Sequence, residues 1–188
     1  MHSITKWIER KLGLTVNMTK TKITRPNQLK FLGFGFYYNS QQNIFKASPH
    51  EDSIQSFKRK LKQWTIRKWS MNFRHRIKKL NEVIRGWINY YLIADMKTAL
   101  TKIDAHLRTR LRVILWKEWK VPQQRQWALQ KLGINKDQAR QTSYMGDHYQ
   151  WIVTKTCVVR AISKEKLAQA GLVIGCDYYL TRRQLKFN

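Results

Sequence analysis

Lysine and arginine crowd one stretch of the sequence that contains no acidic residue. The basic residues between Ser53 and Asn81 are Lys58, Arg59, Lys60, Lys62, Arg67, Lys68, Arg74, Arg76, Lys78 and Lys79. Cations at this density repel one another unless phosphates neutralise them, and Trp64 and Trp69 add surfaces for base stacking. The stretch therefore predicts contact with nucleic acid. The alternative is a solvated helix face with Trp64 in the core, although such faces usually mix charge signs.

The charge of the whole chain agrees with this interpretation. The 188 residues include 37 Lys and Arg against 11 Asp and Glu, which gives a formal net charge of +26. Such an excess indicates a polyanionic partner, of which nucleic acid is the simplest. A membrane surface is the other candidate, but no run approaches the ~20 apolar residues of a membrane span. We see no signal peptide, so we expect no membrane partner and a cytoplasmic location.

The few acidic residues limit the chemistry that the chain can perform. Only Glu51 and Asp52 are adjacent, and no Asp-Asp or Asp-x-Asp pair is present to hold two divalent ions. Cys157 and Cys176 have no partner at metal-ligand spacing. We therefore expect no catalytic residue, no metal site and no cofactor in this chain.

Further arginines lie on the predicted helices. Arg108 and Arg112 are four residues apart and share one helix face, while Arg85 lies opposite an apolar stripe. Phosphate contact is one interpretation of the pair. Pairing with Asp104 or Glu118 is the other, and the sequence favours neither.

A glycine-containing aromatic run, Phe31–Phe36, precedes the basic stretch. Gly33 and Gly35 fall on one face of a predicted strand, where they leave a flat strip of backbone. A phosphate or sugar can lie on such a strip. The run taken alone favours the alternative, a strand packed under a helix.

The first 47 residues predict mixed secondary structure. A short helix is expected over residues 3–12, followed by strand-like pieces at Leu14–Ile23 and Leu29–Tyr38. The turn residues 39–43 then return the chain into Ile44–Ala47 as a hairpin partner.

The rest of the sequence predicts helices. Ser48 can cap a helix that contains Pro49 and Glu51 in its first turn. Apolar residues at 3–4 spacing then indicate three helices, whose expected core is Ile54, Leu61, Ile77, Leu80, Ile84, Trp87, Leu100, Ile103, Leu107 and Ile114.

Weaker signals follow the third helix. Pro122 opens a fourth helix that Gly133 ends. Residues 151–162 are compatible with helix or strand, and residues 163–170 predict a short helix.

Four stretches together resemble the C-terminal part of a group II intron reverse transcriptase, also called a maturase. Leu12–Lys22 is similar to the sixth reverse-transcriptase motif, and Phe31–Phe36 is similar to the seventh. Leu80–Tyr91 contains a Gly-Trp-x-Asn-Tyr signature like that of the maturase-specific, or thumb, domain, and Arg108–Lys120 continues it. The tail is similar to that of some bacterial members.

The resemblance implies an α+β, predominantly α-helical fold in three parts. Residues 1–47 correspond to the end of the palm, with a helix and a β-hairpin. Residues 48–120 correspond to a three-helix thumb, and residues 121–188 form a helical C-terminal extension.

The resemblance also implies RNA binding. In this family the thumb holds an RNA/DNA template–primer duplex and contacts the intron RNA. The intact enzyme uses Mg²⁺ on catalytic aspartates that this sequence lacks, so binding alone is expected here, in a ribonucleoprotein or the nucleoid. Lys20 matches the motif-six lysine. The complete predicted nucleic-acid-binding set is Lys20, Lys22, Gly33, Gly35, Lys58, Arg59, Lys62, Arg67, Lys68, Arg74, Arg76, Lys79, Arg85, Arg108 and Arg112.

Three other interpretations remain open at this point. The chain is half of a split reverse transcriptase that needs a separate fingers–palm polypeptide, a remnant without a selected role, or a basic DNA-binding module. No zinc-ligand or helix-turn-helix spacing supports the last of these.

Overall fold

The first helix of the protein contributes nothing to its buried core. The computed structural model describes residues 2–21, 23–146 and 148–187. Helix α1 (His2–Leu12) precedes Gly13, whose positive φ of 63° ends the helix. The predicted face of α1 is not buried, and Trp7 is 57% exposed. This helix therefore presents an uncovered apolar side.

The first predicted strand, Leu14–Ile23, is wrong over its described residues, which form a loop. The side chain of Asn17 accepts hydrogen bonds from the backbone N–H groups of Thr19 (3.1 Å) and Lys20 (3.2 Å). Asn satisfies the backbone locally in this way and so competes with a sheet ladder.

A two-stranded antiparallel hairpin follows, as predicted. Strands β1 (Phe34–Asn39) and β2 (Ile44–Pro49) pair from Phe34 with Pro49 to Asn39 with Ile44. Strand β1 begins five residues later than expected. A 3-10 turn (Pro26–Gln28) and two residues with positive φ, Leu32 and Gly33, interrupt the extended backbone before it.

The N-cap of helix α2 (Glu51–Trp64) lies two residues later than predicted. His50, not Ser48, is the N-cap, and its Nδ1 accepts the backbone N–H of Asp52 at 3.2 Å. Ser48 and Pro49 are in β2, because the hairpin register extends to them. Only His50 therefore separates the end of β2 from the start of α2.

Helices α3 (Phe73–Tyr90) and α4 (Lys97–Glu118) complete the predicted three-helix unit. Eight of the ten expected core residues are buried: Leu61, Ile77, Leu80, Ile84, Leu100, Ile103, Leu107 and Ile114. Ile54 and Trp87 are half-buried, and Trp87 stacks on Phe57 with ring centroids 4.4 Å apart. The indole therefore packs at the edge of the core.

The C-terminal extension is helical in its described part. It comprises α5 (Pro122–Lys131), α6 (Lys136–Ser143), α7 (Tyr149–Ile152), α8 (Thr156–Ala161), α9 (Lys164–Gln169) and α10 (Gly175–Phe187). The ambiguous residues 151–162 are thus largely helical. Helix α9 lies within the short helix predicted over residues 163–170, and Ser163 is its N-cap.

The extension shares one hydrophobic core with the three-helix unit. Buried residues from both sides of the predicted boundary at residue 120 lie in a single cluster. Asn81 on α3 donates to the carbonyl of Gly171 (2.7 Å) and accepts the N–H of Val173 (2.8 Å). Asp104 on α4 accepts the backbone N–H groups of Gly175 and Cys176 at the start of α10. Helix α4 therefore contacts the extension through these hydrogen bonds to α10 as well as through the shared core.

Candidate nucleic-acid interface

A groove between α2 and α4 gathers basic side chains from both helices. We call it the α2–α4 groove; its volume is about 480 Å³ and it is lined by Gln55, Lys58, Arg59, Leu61, Lys62, Lys102, Ile103, His106, Leu107 and Arg110. None of these lining residues is acidic. Leucine and isoleucine form the floor, and the charged groups form the walls. A polyanion that enters the groove meets positive charge on two sides.

The spacing along each helix explains why these residues share the groove. Lys102, His106 and Arg110 are four residues apart in sequence on α4, and Lys58 and Lys62 are four apart on α2. Residues at this spacing lie on one helix face, about 6 Å apart along the axis. The two helices therefore present two short rows of cations toward the same space.

Arg110 also fastens the two helices together. Its Nε donates to the hydroxyl of Thr65 at 2.6 Å, and its Nη2 donates to the carbonyl of Thr65 at 2.9 Å. Thr65 is the C-cap of α2, where a cation is favourable because carbonyl groups are left without helical partners. Burial lowers the pKa of Arg110, and the guanidinium stays charged.

His106 is the titratable group in the middle of the α2–α4 groove. Partial burial lowers its pKa below the ordinary value, and the nearby charges of Arg110 and Lys58 lower it further. The imidazole is consequently neutral at physiological pH. A phosphate placed beside it would act in the opposite direction and favour the protonated form.

The groove continues toward the α2–α3 connection. This groove extension shares Lys62 and Arg110 with the α2–α4 groove and is otherwise lined by Thr65, Ile66, Arg67, Lys68, Val113 and Gln150. Arg67 and Lys68 therefore join the same basic surface. Five residues of the predicted set, Lys58, Arg59, Lys62, Arg67 and Lys68, line this continuous trough.

At its other end the trough meets a pocket under the hairpin. Lys58 and Lys102 line this pocket, as does Gly35, which is buried and pairs with Ser48. An added Cβ at Gly35 would lie 3.6 Å from His50, which is ordinary contact. The backbone of Gly35 therefore lies inside the pocket and not on an open strip.

Gly33 is explained by packing. Its φ is +80°, and an added Cβ would lie 2.4 Å from the hydroxyl oxygen of Tyr91. Its carbonyl accepts the hydroxyl of Ser53 and the N–H of His50, both at 2.9 Å. These contacts favour the alternative in which the glycine run packs under a helix, although Gly33 itself lies in the turn before β1.

Two predicted phosphate contacts are corrected by burial. Arg76 is 0% exposed and donates to the carbonyls of Trp64 (2.6 Å) and Trp69 (3.1 Å). Arg112 is buried on the opposite side of α4 and donates to the carbonyl of Ile162 at 2.9 Å. Both side chains hold backbone carbonyls inside the fold, so neither is available at the surface.

The other predicted residues lie outside the trough. Arg74 and Arg85 are exposed on α3, Arg108 is half-buried on α4, and Lys20 is exposed in the loop. Lys22 lies outside the described residues. Lys79 is engaged by Glu82, with its Nζ 2.9 Å from the carboxylate. Their contact with nucleic acid stays a prediction.

The sequence interpretation missed Lys102, His106 and Arg110. It selected Arg108 and Arg112 on α4, whereas the row that lines the groove is offset by two residues. The signal was present as three basic-type side chains at successive four-residue steps. It was obscured because residues 107–116 of α4 include no exposed residue, which weakens the contrast between apolar and polar faces.

Metal-dependent chemistry has no matching donor set in the described part of the chain. There, no group of three or more His, Cys, Asp or Glu side chains is arranged to hold a metal ion. These residues therefore do not fit the Mg²⁺ that a polymerase reaction requires. Among the described residues, no helix is both long and apolar enough to cross a membrane.

The fold and the trough define a small, strongly basic, predominantly helical module with a binding surface between two helices. Residues 54–133 match the family described as "Group II intron, maturase-specific domain". This match supports a group II intron maturase-related function. The match contains most of α2 and all of α3, α4 and α5, and with them every residue that lines the trough except Gln150. No curated protein gives a significant match to the chain.

Proposed function

We propose that this protein binds group II intron RNA through the α2–α4 groove and its extension. The observation that carries the proposal is that cations from α2, from the α2–α3 connection and from α4 line one trough inside the matched domain. Phosphates are the groups that neutralise such a surface, and counterion release then drives binding. The bound form is an RNA or an RNA/DNA duplex held against the thumb.

In an intact maturase, we propose that this surface stabilises the folded intron for splicing and positions a primer for reverse transcription. Such a role requires binding and orientation but no catalytic carboxylate from this chain. It also places the protein in a ribonucleoprotein particle.

The direct test measures binding of the purified chain to a structured group II intron RNA across a salt series. A length-matched unrelated duplex is the comparison. If about eight phosphates are neutralised, log affinity against log salt has a slope of roughly −6 to −7. Tighter binding of the intron RNA near physiological salt is the expected result. Equal binding of both RNAs, lost as salt rises, would leave only a generic polycation.

A matched pair of variants assigns the binding to the trough. The first variant changes Lys58, Lys62 and Lys102 to Gln. The control changes Lys136, Arg140 and Lys166 to Gln, which removes the same charge from exposed positions on α6 and α9. We expect the first variant to flatten the slope by about 2–3 and the control to change it little. Equal effects would exclude the trough as the contact surface.

A second candidate function has one observation in its favour. Apolar side chains before α2 are exposed, including Trp7, Leu12, Phe31 and Phe45. Exposed apolar surface of this extent indicates a protein partner, and the partner that we propose is a separate fingers–palm polypeptide that supplies catalytic aspartates. Co-purification and primer extension only in the mixture would support this proposal. Absence of both would oppose it.

A further inference from the structure

Two aromatic residues, the half-buried Tyr149 and the exposed Trp151, lie at the end of the groove extension, outside the matched domain. Arg67 and Gln150 line the extension, and they also line a hollow together with His148, Tyr149 and Trp151. The two cavities are therefore contiguous through two shared side chains. The groove extension therefore leads directly to α7.

Trp151 is exposed on a firmly anchored segment. Its side chain is 52% exposed, whereas the next two residues, Ile152 and Val153, are fully buried. Helix α7 packs against α4, which supplies one wall of the trough. The backbone that carries the indole is thus anchored to the core.

Cations accompany both aromatic rings. The guanidinium carbon of Arg67 lies 5.8 Å from the centroid of Tyr149, and the Nζ of Lys155 lies 3.7 Å from the centroid of Trp151. These are cation–π distances. Aromatic rings that stack bases, beside cations that meet the backbone phosphates, are the elements with which proteins hold single-stranded nucleic acid.

We infer that Tyr149, Trp151, Arg67 and Lys155 form a stacking platform for an unpaired nucleotide that continues from the RNA in the trough. This inference rests on the proposed function, because it assigns the RNA chemistry that one end of the same surface recognises. The preferred ligand is a duplex with a single-stranded extension. The duplex meets the cations of the α2–α4 groove, and the first unpaired base lies against Trp151.

The experiment compares a blunt RNA duplex with the same duplex carrying a five-nucleotide adenosine tail at either end. The full chain should bind one tailed form about tenfold more tightly than the blunt form. Trp151→Ala should remove most of that difference, and Trp151→Phe should retain part of it because a ring remains. Affinity for the blunt duplex should stay within about twofold for both variants.

Trp127 offers a matched control. It is 63% exposed, and Lys131, four residues later, lies over its ring with the Nζ 4.8 Å from the centroid. The local arrangement therefore resembles that of Trp151 and Lys155, but Trp127 does not line the trough. Trp127→Ala should leave the difference between tailed and blunt duplexes intact.

The outcomes separate the two proposals. If neither RNA binds the chain, the proposed function fails. If both RNAs bind equally, or if Trp151→Ala weakens blunt and tailed duplexes to the same degree, the platform is excluded and the proposed function stands. Photocrosslinking of 5-iodouridine in the tail to Trp151 or Tyr149 provides a second readout, and crosslinks confined to other residues would overturn the inference.

Discussion

The guanidinium of Arg76 on α3 donates a 2.6 Å hydrogen bond to the carbonyl of Trp64, the last residue of α2. A second hydrogen bond reaches the carbonyl of Trp69 at 3.1 Å. One buried side chain thus shapes the connection that carries Arg67 and Lys68 into the groove extension. Arginine is suited to this position because its planar fork can hold two carbonyls at once.

Replacing Arg76 should destabilise the protein. Arg76→Met keeps much of the side-chain volume but leaves two carbonyls without this donor, so we expect a loss of about 2–4 kcal/mol in the free energy of unfolding. Urea denaturation followed by circular dichroism measures it. Arg74→Met on the exposed face of the same helix is the control and should change stability by less than about 0.5 kcal/mol. Similar small effects for both variants would contradict the structural role.

Gly33→Ala should weaken the attachment of the hairpin to the helices. The new Cβ meets the hydroxyl of Tyr91 at 2.4 Å, and the positive φ adds backbone strain. Gly13→Ala is the matched control, because Gly13 has a φ of +63° but open space around it. We expect a clearly lower melting temperature for Gly33→Ala than for Gly13→Ala.

A second substitution separates steric conflict from strain at this position. Combining Gly33→Ala with Tyr91→Phe removes the hydroxyl that the new Cβ meets. Part of the lost stability should return in the double variant, relative to the sum of the single effects. Strictly additive losses would argue against the close contact.

Asp104→Ala should destabilise α10. The carboxylate accepts the backbone N–H groups of Gly175 (3.1 Å) and Cys176 (2.8 Å), which have no partner in the first turn of that helix. Burial raises the pKa of Asp104, and these two hydrogen bonds oppose that shift. We expect a loss of about 1–2 kcal/mol in the free energy of unfolding.

The exposed Asp137 in the first turn of α6 is the control for this change. Asp137→Ala should cost less than about 0.5 kcal/mol. An Asp104 variant as stable as the Asp137 variant would show that the cap contributes little.

RNA affinity should rise as the pH falls from 8 to 6. In the free protein the pKa of His106 lies below its ordinary value, so the folded state disfavours the imidazolium. The stability of the free protein therefore decreases as the pH falls through the pKa that His106 has in the unfolded state. A bound phosphate favours the imidazolium, so binding takes up a proton. Lys58, Lys102 and Arg110 line the groove beside His106.

The measurement is RNA affinity at constant ionic strength, with calorimetry in buffers of different ionisation enthalpy to count protons. His106→Gln should flatten the pH dependence and abolish most of the proton uptake. If proton uptake on RNA binding is unchanged in His106→Gln, a group other than His106 takes up the proton.

Much of the helical framework follows from local patterns in the sequence. Apolar spacing located α2, α3 and α4 to within a few residues, and Gly133 marks the end of α5 as predicted. Side-chain burial was harder to foresee. Arg76 has the same charge as Arg74 and is two residues away, yet only the tertiary fold places the carbonyls of α2 within its reach.

The residues that line the trough also could not all be predicted from the sequence. The sequence placed Lys58, Arg59 and Lys62 on α2, but it could not place α4 beside them. Which face of α4 meets α2 depends on the packing of α10 and α7 around it. That Arg110 and not Arg108 lines the groove is therefore determined by tertiary packing and not by the helix alone.

The contacts of Asn81 set an order for folding during synthesis on the ribosome. Its partners Gly171 and Val173 follow it by 90 and 92 residues, and Tyr179 reaches back 85 residues to the carbonyl of Ala94. Pairings of such long sequence separation form late, because a long loop must close first. The nascent chain can thus build α2 to α4 early, but it completes the core only when residues 171–179 have left the exit tunnel.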